Sequence, residues 1–181
     1  MDLEDESLVA KYLENGCQNA LDALMDRYID GLKPLLMQLG VHSSDVPDLT
    51  QEILLKAFRG LSGFKRQAKF RTWLMSIAIR SVKDYLRKQK REAICRSQPL
   101  SHNLEAAEAE PVDEDKETID RIDAAIASLK EHHRTAIVLI CLQQLSPDEA
   151  AKICGCSRNA IYFRLHAARN KLKRALKGIL Q

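Results

Sequence analysis

Aromatic residues are scarce in this chain. One Trp, four Tyr and four Phe make up 5% of 181 residues, so the hydrophobic 45%, ample for a core, is mostly aliphatic. Seven Gly and five Pro are few as well, as expected where few tight turns are needed. Leu, Ala, Ile, Lys, Arg, Glu and Gln dominate instead. These are mostly good helix formers, and an all-α chain is expected.

Other absences exclude whole classes. No apolar run approaches the length of a membrane span. The opening Met1-Asp2-Leu3-Glu4-Asp5-Glu6 is acidic, the opposite of the basic start of a secretory signal. The cysteines Cys17, Cys95, Cys141, Cys154 and Cys156 are odd in number and scattered. They suit a reducing cytoplasm better than a disulfide framework. No Gly-rich phosphate loop, nucleophile–base pair or close carboxylate pair stands out. Cys154-Gly155-Cys156 is one residue tighter than the usual zinc pairing, and His132, His133 and His166 share no clear helical face with it. Neither a catalytic residue nor a metal or cofactor is expected.

What is present is charge, unevenly spread. Met1 to Asp30 holds eight acids and two bases, whereas Leu61 to Arg91 holds ten Lys/Arg and one acid, Asp84. Asn103 to Thr118 carries seven acids and one Lys, and Ser157 to Gln181 carries seven Lys/Arg and no acid. Two basic blocks separated by an acidic stretch suggest two surfaces for a polyanion, against the plainer reading of solvated helix faces.

The length suits one medium domain or two small ones. Periodicity predicts a short helix over 7–14, stopped at Asn15-Gly16, then a longer one with Leu21, Leu24, Met25, Tyr28, Leu32, Leu35 and Leu36 on one stripe. Pro34 should bend or break it. A third helix from Ser43 or Ser44 carries Leu49, Ile53, Leu54, Ala57, Phe58 and Leu61. After the basic loop Phe64 to Lys69, a fourth should turn Phe70, Trp73, Leu74, Ile77, Ala78, Val82, Tyr85 and Leu86 inward. From 92 to 116 periodicity lapses, Pro99 and Pro111 intervene and acids accumulate, the composition of a flexible linker with room for a short helix near Leu104 to Glu110. A second domain, 117–181, resumes with Ile119, Ile122, Ile126 and Leu129, then Ala136, Ile137, Ile140 and Cys141.

Its end carries the clearest signals. Ser146-Pro147-Asp148-Glu149 reads as a capping box with proline at the first helical position. Gly155 supplies a left-handed turn, and Ser157 caps a last helix with Ile161, Leu165, Ala168 and Leu172 inward. Two short helices about such a turn form a helix-turn-helix, unless the hairpin merely packs. Its second helix would expose Arg158, Asn159, Tyr162, Phe163, His166 and Arg169 to base edges, Phe163 suiting a thymine methyl. Arg164, Lys171, Lys173 and Arg174 would meet phosphates.

The stretch Asp48-Leu49-Thr50-Gln51-Glu52-Ile53-Leu54-Leu55-Lys56-Ala57-Phe58-Arg59, with Phe70-Arg71-Thr72-Trp73-Leu74 and Asp84-Tyr85-Leu86-Arg87-Lys88, resembles region two of the bacterial extracytoplasmic-function sigma factors. Arg134, Leu145-Ser146, Glu149-Ala150-Ala151 and Arg164-Leu165-His166-Ala167-Ala168-Arg169 resemble region four. The resemblance implies a promoter-recognition factor for RNA polymerase, with two small helical domains: region two over 1–91 and a helix-turn-helix region four over 117–181. It places Asp48, Gln51, Glu52, Lys56 and Arg59 against the polymerase. Phe64, Lys65, Arg66, Lys69, Arg80, Lys83 and Arg87 would bind the promoter element nearer the start site, Phe64 by stacking on an extruded base. Arg158, Asn159, Tyr162, Phe163, Arg164, His166, Arg169 and Lys173 would read the farther element. RNA polymerase core, promoter DNA and an anti-sigma protein are the implied partners. A stand-alone DNA-binding regulator is the alternative. Arg80 stands where the family usually has Asn, Phe163 replaces a small hydroxyl residue, Ala167 a common Arg, and Lys130 a frequent Pro, so base preference does not carry over. The linker, ~80–90 Å fully extended but ~25–30 Å relaxed, must stretch to join elements roughly 34–70 Å apart.

Overall fold

The computed structural model describes residues 4–95 and 114–177. Among these residues there is no strand, and the chain divides into two compact units, one of Met1–Asp84 with Lys152–Gly155 and the other of Tyr85–Ala151 with Cys156–Gln181. The expected all-α class holds. No helix is long and apolar enough to cross a membrane among the described residues.

In the first unit α1 (Asp5–Asn15) ends at Gly16, whose φ of 64° is the left-handed conformation a glycine adopts without penalty. Helix α2 (Gln18–Gln38) buries Leu21, Leu24, Leu32, Leu35 and Leu36, most of the stripe read from its spacing. Of the two outcomes expected at Pro34, a break does not occur, since the helix runs on to Gln38. The carbonyl deprived of a partner belongs to exposed Asp30 and can turn to water, while the leucines around Pro34 stay buried. A 3₁₀ turn, Ser43–Asp45, leads into α3 (Val46–Gly60), and a second, Leu61–Gly63, follows it.

Helix α4 (Phe70–Cys95) departs from the reading in two ways. Its inner face is rotated: Met75 and Ile79 are buried beside Phe70, Leu74, Ala78 and Val82, while Trp73, Ile77, Tyr85 and Leu86 are half-buried. It also runs through Glu92 to Cys95 and thus into the expected linker. Periodicity lapses there, but helix propensity does not, and Lys88 pairs with Glu92 one turn on at 3.9 Å. Helix α5 (Glu114–Ala127) likewise starts before residue 116. The rest of the expected linker, with the helix suggested near 104–110, lies outside the described residues.

In the second unit α5, α6 (Glu131–Ile137) and α8 (Arg158–Ala175) gather around Leu129, Ile137, Leu165 and Ala168. Ile119 and Ile122, expected inside, are exposed; the stripe is covered only from Ala125 and Ile126 onward. Cys141, also expected inside, is exposed because α6 widens into a π turn over Val138–Leu142. The extra residue in that turn shifts the helical phase, so Val138 and Leu139 occupy the core instead. Arg134 is buried, and its Nη2 donates to the carbonyls of Ala127 at 2.7 Å and Leu129 at 3.2 Å, closing the end of α5. Burial lowers its pKa from the usual arginine range.

Candidate nucleic-acid interface

Three surfaces carry the residues singled out from sequence. The first is the outer face of α3. Asp48, Gln51, Glu52, Lys56 and Arg59 are all exposed, opposite the buried side formed by Leu49, Ile53 and Ala57. Lys56 is also tied inward: its ammonium sits 2.6 Å from Glu52 Oε1 and donates to Ser81 Oγ of α4 at 3.0 Å. Sequence reasoning missed the apolar centre of this face. Leu55 and Phe58 are 47% and 41% exposed, and with Gln51 they line a groove of about 250 Å³ that Leu21 and Met25 of α2 complete. The i+4 step from Gln51 to Leu55 and the i+3 step from Leu55 to Phe58 were the available signal.

The second surface is the loop 64–69 with the exposed side of α4. Lys65, Arg66 and Lys69 are exposed, as are Arg80 and Arg87, and Lys83 is half-buried on the same side of α4. Arg66 holds a positive φ of 55°. Phe64, expected to stack on an extruded base, is closed in rather than open. It is 7% exposed and stacks inward, with ring centroids 6.0 Å from Phe70 and 5.1 Å from Trp73. The ring is thus part of an aromatic cluster with Phe70 and Trp73. Its work is to hold the front of the loop, helped by its backbone N–H donating to Leu61 O at 3.1 Å.

The back of the loop is held by residues that the sequence showed only as charge. Glu6 Oε1 accepts a hydrogen bond from the Phe70 N–H at 3.2 Å. Asp5 accepts from Arg27 Nη1 at 2.5 Å and from the Tyr28 hydroxyl. Burial first, then this bond to the Asp5 carboxylate, pushes the Tyr28 phenol well above its ordinary pKa.

The third surface is the helix-turn-helix. The local signals all appear as read. Glu149 N–H donates to Ser146 Oγ at 3.3 Å and Ser146 N–H to Glu149 Oε2 at 3.0 Å, the reciprocal capping box, at the start of α7 (Pro147–Cys154). Gly155 has φ of 61°, and Ser157 Oγ accepts from Ala160 N–H at 3.2 Å. Helix α8 then buries Ile161, Leu165 and Ala168. Asn159, Phe163, His166, Asn170 and Arg174 lie on the opposite side, Tyr162, Arg169 and Lys173 flank them, and all are exposed. Arg164 is half-buried. Phe163, at 76% exposure, is the most outlying aromatic described.

Arg158 is already engaged. Its guanidinium donates to Tyr162 Oη at 3.2 Å, lies 5.5 Å from the ring centroid and pairs with Asp148 of α7 at 3.5 Å. The Tyr162 bond and then Asp148 raise its pKa. Arg158 thereby braces the start of α8 against α7. Arg169 Nη2 lies 3.9 Å from Cys141 Sγ, and His166 Nδ1 lies 3.2 Å from Asn170 Nδ2.

Comparison with known proteins identifies the family. The family description "Sigma-70 region 2" matches residues 24–92 and "Sigma-70, region 4" matches residues 119–172. The ECF RNA polymerase sigma-E factor of Escherichia coli is 31% identical over 99% of this chain and 97% of its own. That of Haemophilus influenzae is 30% identical over 98% of each. Among solved structures, the sigma factor RpoE of Bartonella quintana, in complex with the anti-sigma factor NepR, shares 27% identity and a TM-score of 0.69 over 83% of this chain and 92% of that one. CnrH, in complex with the cytosolic domain of CnrY, has the same fold, with a TM-score of 0.72 over 97% and 98% of the two chains. Two regions matched in order and a relative aligned end to end place the chain in the family: it belongs to the extracytoplasmic-function sigma factors.

Proposed function

We propose that the chain directs RNA polymerase to promoters by a division of labour among its three surfaces, and that the polymerase, not this chain, carries out catalysis. The exposed face of α3 suits the polymerase: an apolar centre of Leu55 and Phe58, rimmed by Asp48, Gln51, Glu52 and Arg59, has the layout of a protein interface. Lys65, Arg66, Lys69, Arg80, Lys83 and Arg87 form the cationic surface for the separated strand near the start site. Helix α8 enters the major groove of the farther element, with Arg164 and Lys173 at phosphates and Asn159, Phe163, His166 and Arg169 facing base edges. Arg158 and Tyr162, braced on Asp148, set the angle of entry. A protein of the anti-sigma class is the proposed antagonist, as RpoE of Bartonella quintana was solved with one.

The observation that carries this reading is α8 itself: a capped helix after a glycine turn, with no acid along its length and its polar face open. In vitro transcription with purified core polymerase on genomic fragments tests it. Discrete transcripts should require both chain and core. A chain that shifts promoter fragments alone and fails to associate with core would instead be a stand-alone regulator.

A further inference from the structure

The two acids that open α1 both lead to one residue, Phe70. Glu6 accepts the Phe70 N–H, one of the amides that a helix start leaves without an internal partner, and its negative charge suits the positive end of α4. Asp5 holds the Tyr28 hydroxyl, and the Tyr28 ring meets the Phe70 ring edge-on at 5.5 Å. Phe70 in turn packs on Phe64. These two aromatics are the footings of the loop, one immediately before Lys65 and the other immediately after Lys69. Farther along α1, Tyr12 lies 6.1 Å from Phe58, near the end of the helix that precedes the loop. A contact reaching 64 residues along the chain therefore helps to secure a short cationic segment.

We infer that α1 is a clasp for the strand-facing loop and that Glu6 is a positioning residue for promoter opening, an inference that rests on the loop's proposed role in binding the separated strand. A loop held in one shape before the strand arrives loses less freedom on binding than one that must order itself. Glu6 is bonded to the Phe70 N–H and acts on DNA only through Phe70 and the loop.

The test uses holoenzyme reconstituted from core polymerase and full-length chain, on a promoter recovered by in vitro transcription. Two quantities are read: permanganate reactivity of unpaired thymines, and affinity for core. Glu6→Ala should lower promoter opening roughly five- to tenfold with core affinity unchanged, the scale of a lost helix cap. Glu6→Gln keeps an oxygen that can accept the Phe70 N–H and should stay within about threefold of the parent. Tyr28→Phe, which removes only the link to Asp5, should cost about two- to fivefold. Glu6→Ala opening promoters like the parent would overturn the inference. So would Ala and Gln variants that lose opening and core affinity in parallel, because Glu6 would then serve the fold alone. A parent holoenzyme that opens no promoter would sink the underlying reading, and this one with it.

Discussion

The two surfaces proposed for DNA are built in opposite ways. The helix-turn-helix is specified by near neighbours: Ser146 with Glu149 and Ser157 with Ala160. The loop 64–69 is specified by strangers, since Glu6 reaches Phe70 64 residues on and Asp5 reaches Tyr28 23 residues on. A helix can carry its own shape to the groove. A loop borrows its shape from whatever surrounds it.

Four measurements sharpen that contrast, beginning with the largest effect. Phe70→Ala empties a fully buried position where the loop, α1 and α4 meet. It should cost roughly 3–5 kcal/mol in the first unit, seen by hydrogen exchange as lost protection over residues 4–84 with the second unit intact. Loss shared equally by both units would deny their independence. Arg134→Ala is the counterpart in the second unit. Two carbonyls at the end of α5 lose a charged donor, and urea unfolding should show a drop of about 2–3 kcal/mol.

Phe163→Ser should leave folding within about 0.5 kcal/mol, because that ring touches little. Its effect should appear on DNA. With the parent holoenzyme, replacing a contacted thymine by deoxyuridine removes only the methyl group and should weaken binding a few-fold, roughly 1 kcal/mol at most. With Phe163→Ser the two bases should bind alike. A parent indifferent to the methyl at every position would free Phe163 from base reading.

The smallest effect concerns His133. Burial, then His132, Lys171, Lys130 and Arg164 around it, lower its pKa from 6.5. A base whose folded pKa is lowered takes up its proton more readily when unfolded, so the second unit should be fully stable above about pH 6.5 and lose stability as pH falls through the lowered value. His133→Gln should flatten the acid side of a thermal-unfolding profile between pH 7 and 5. An unchanged slope would assign it to another group.

The same contrast explains what was legible in the sequence. The capping box, the glycine turn and the Ser157 cap are chemistry within four residues, and each could be named before any coordinates. The exposed positions on α3 and α8 followed from helical spacing. The burial of Phe64 was not legible, because loops are usually exposed and nothing local shows that Phe70 and Trp73 close over its ring. The rotation of α4 towards Met75 and Ile79, and the phase slip that turns Cys141 outward, depend on packing partners or on a π turn that periodicity does not reveal. Asp5 and Glu6 were visible as charge but not as contacts, because their partners stand too far along the chain.

Trp73 is the only tryptophan, and its indole lies against both footings of the loop, with centroids 5.1 Å from Phe64 and 5.6 Å from Phe70. Gly60 leaves room for it: a β-carbon there would come within 3.3 Å of the ring. A fluorinated indole at this one position would yield a single magnetic-resonance signal in a reconstituted holoenzyme whose core is unlabelled. Its shift would follow the footing of the loop through each stage of initiation, with no probe attached to the DNA.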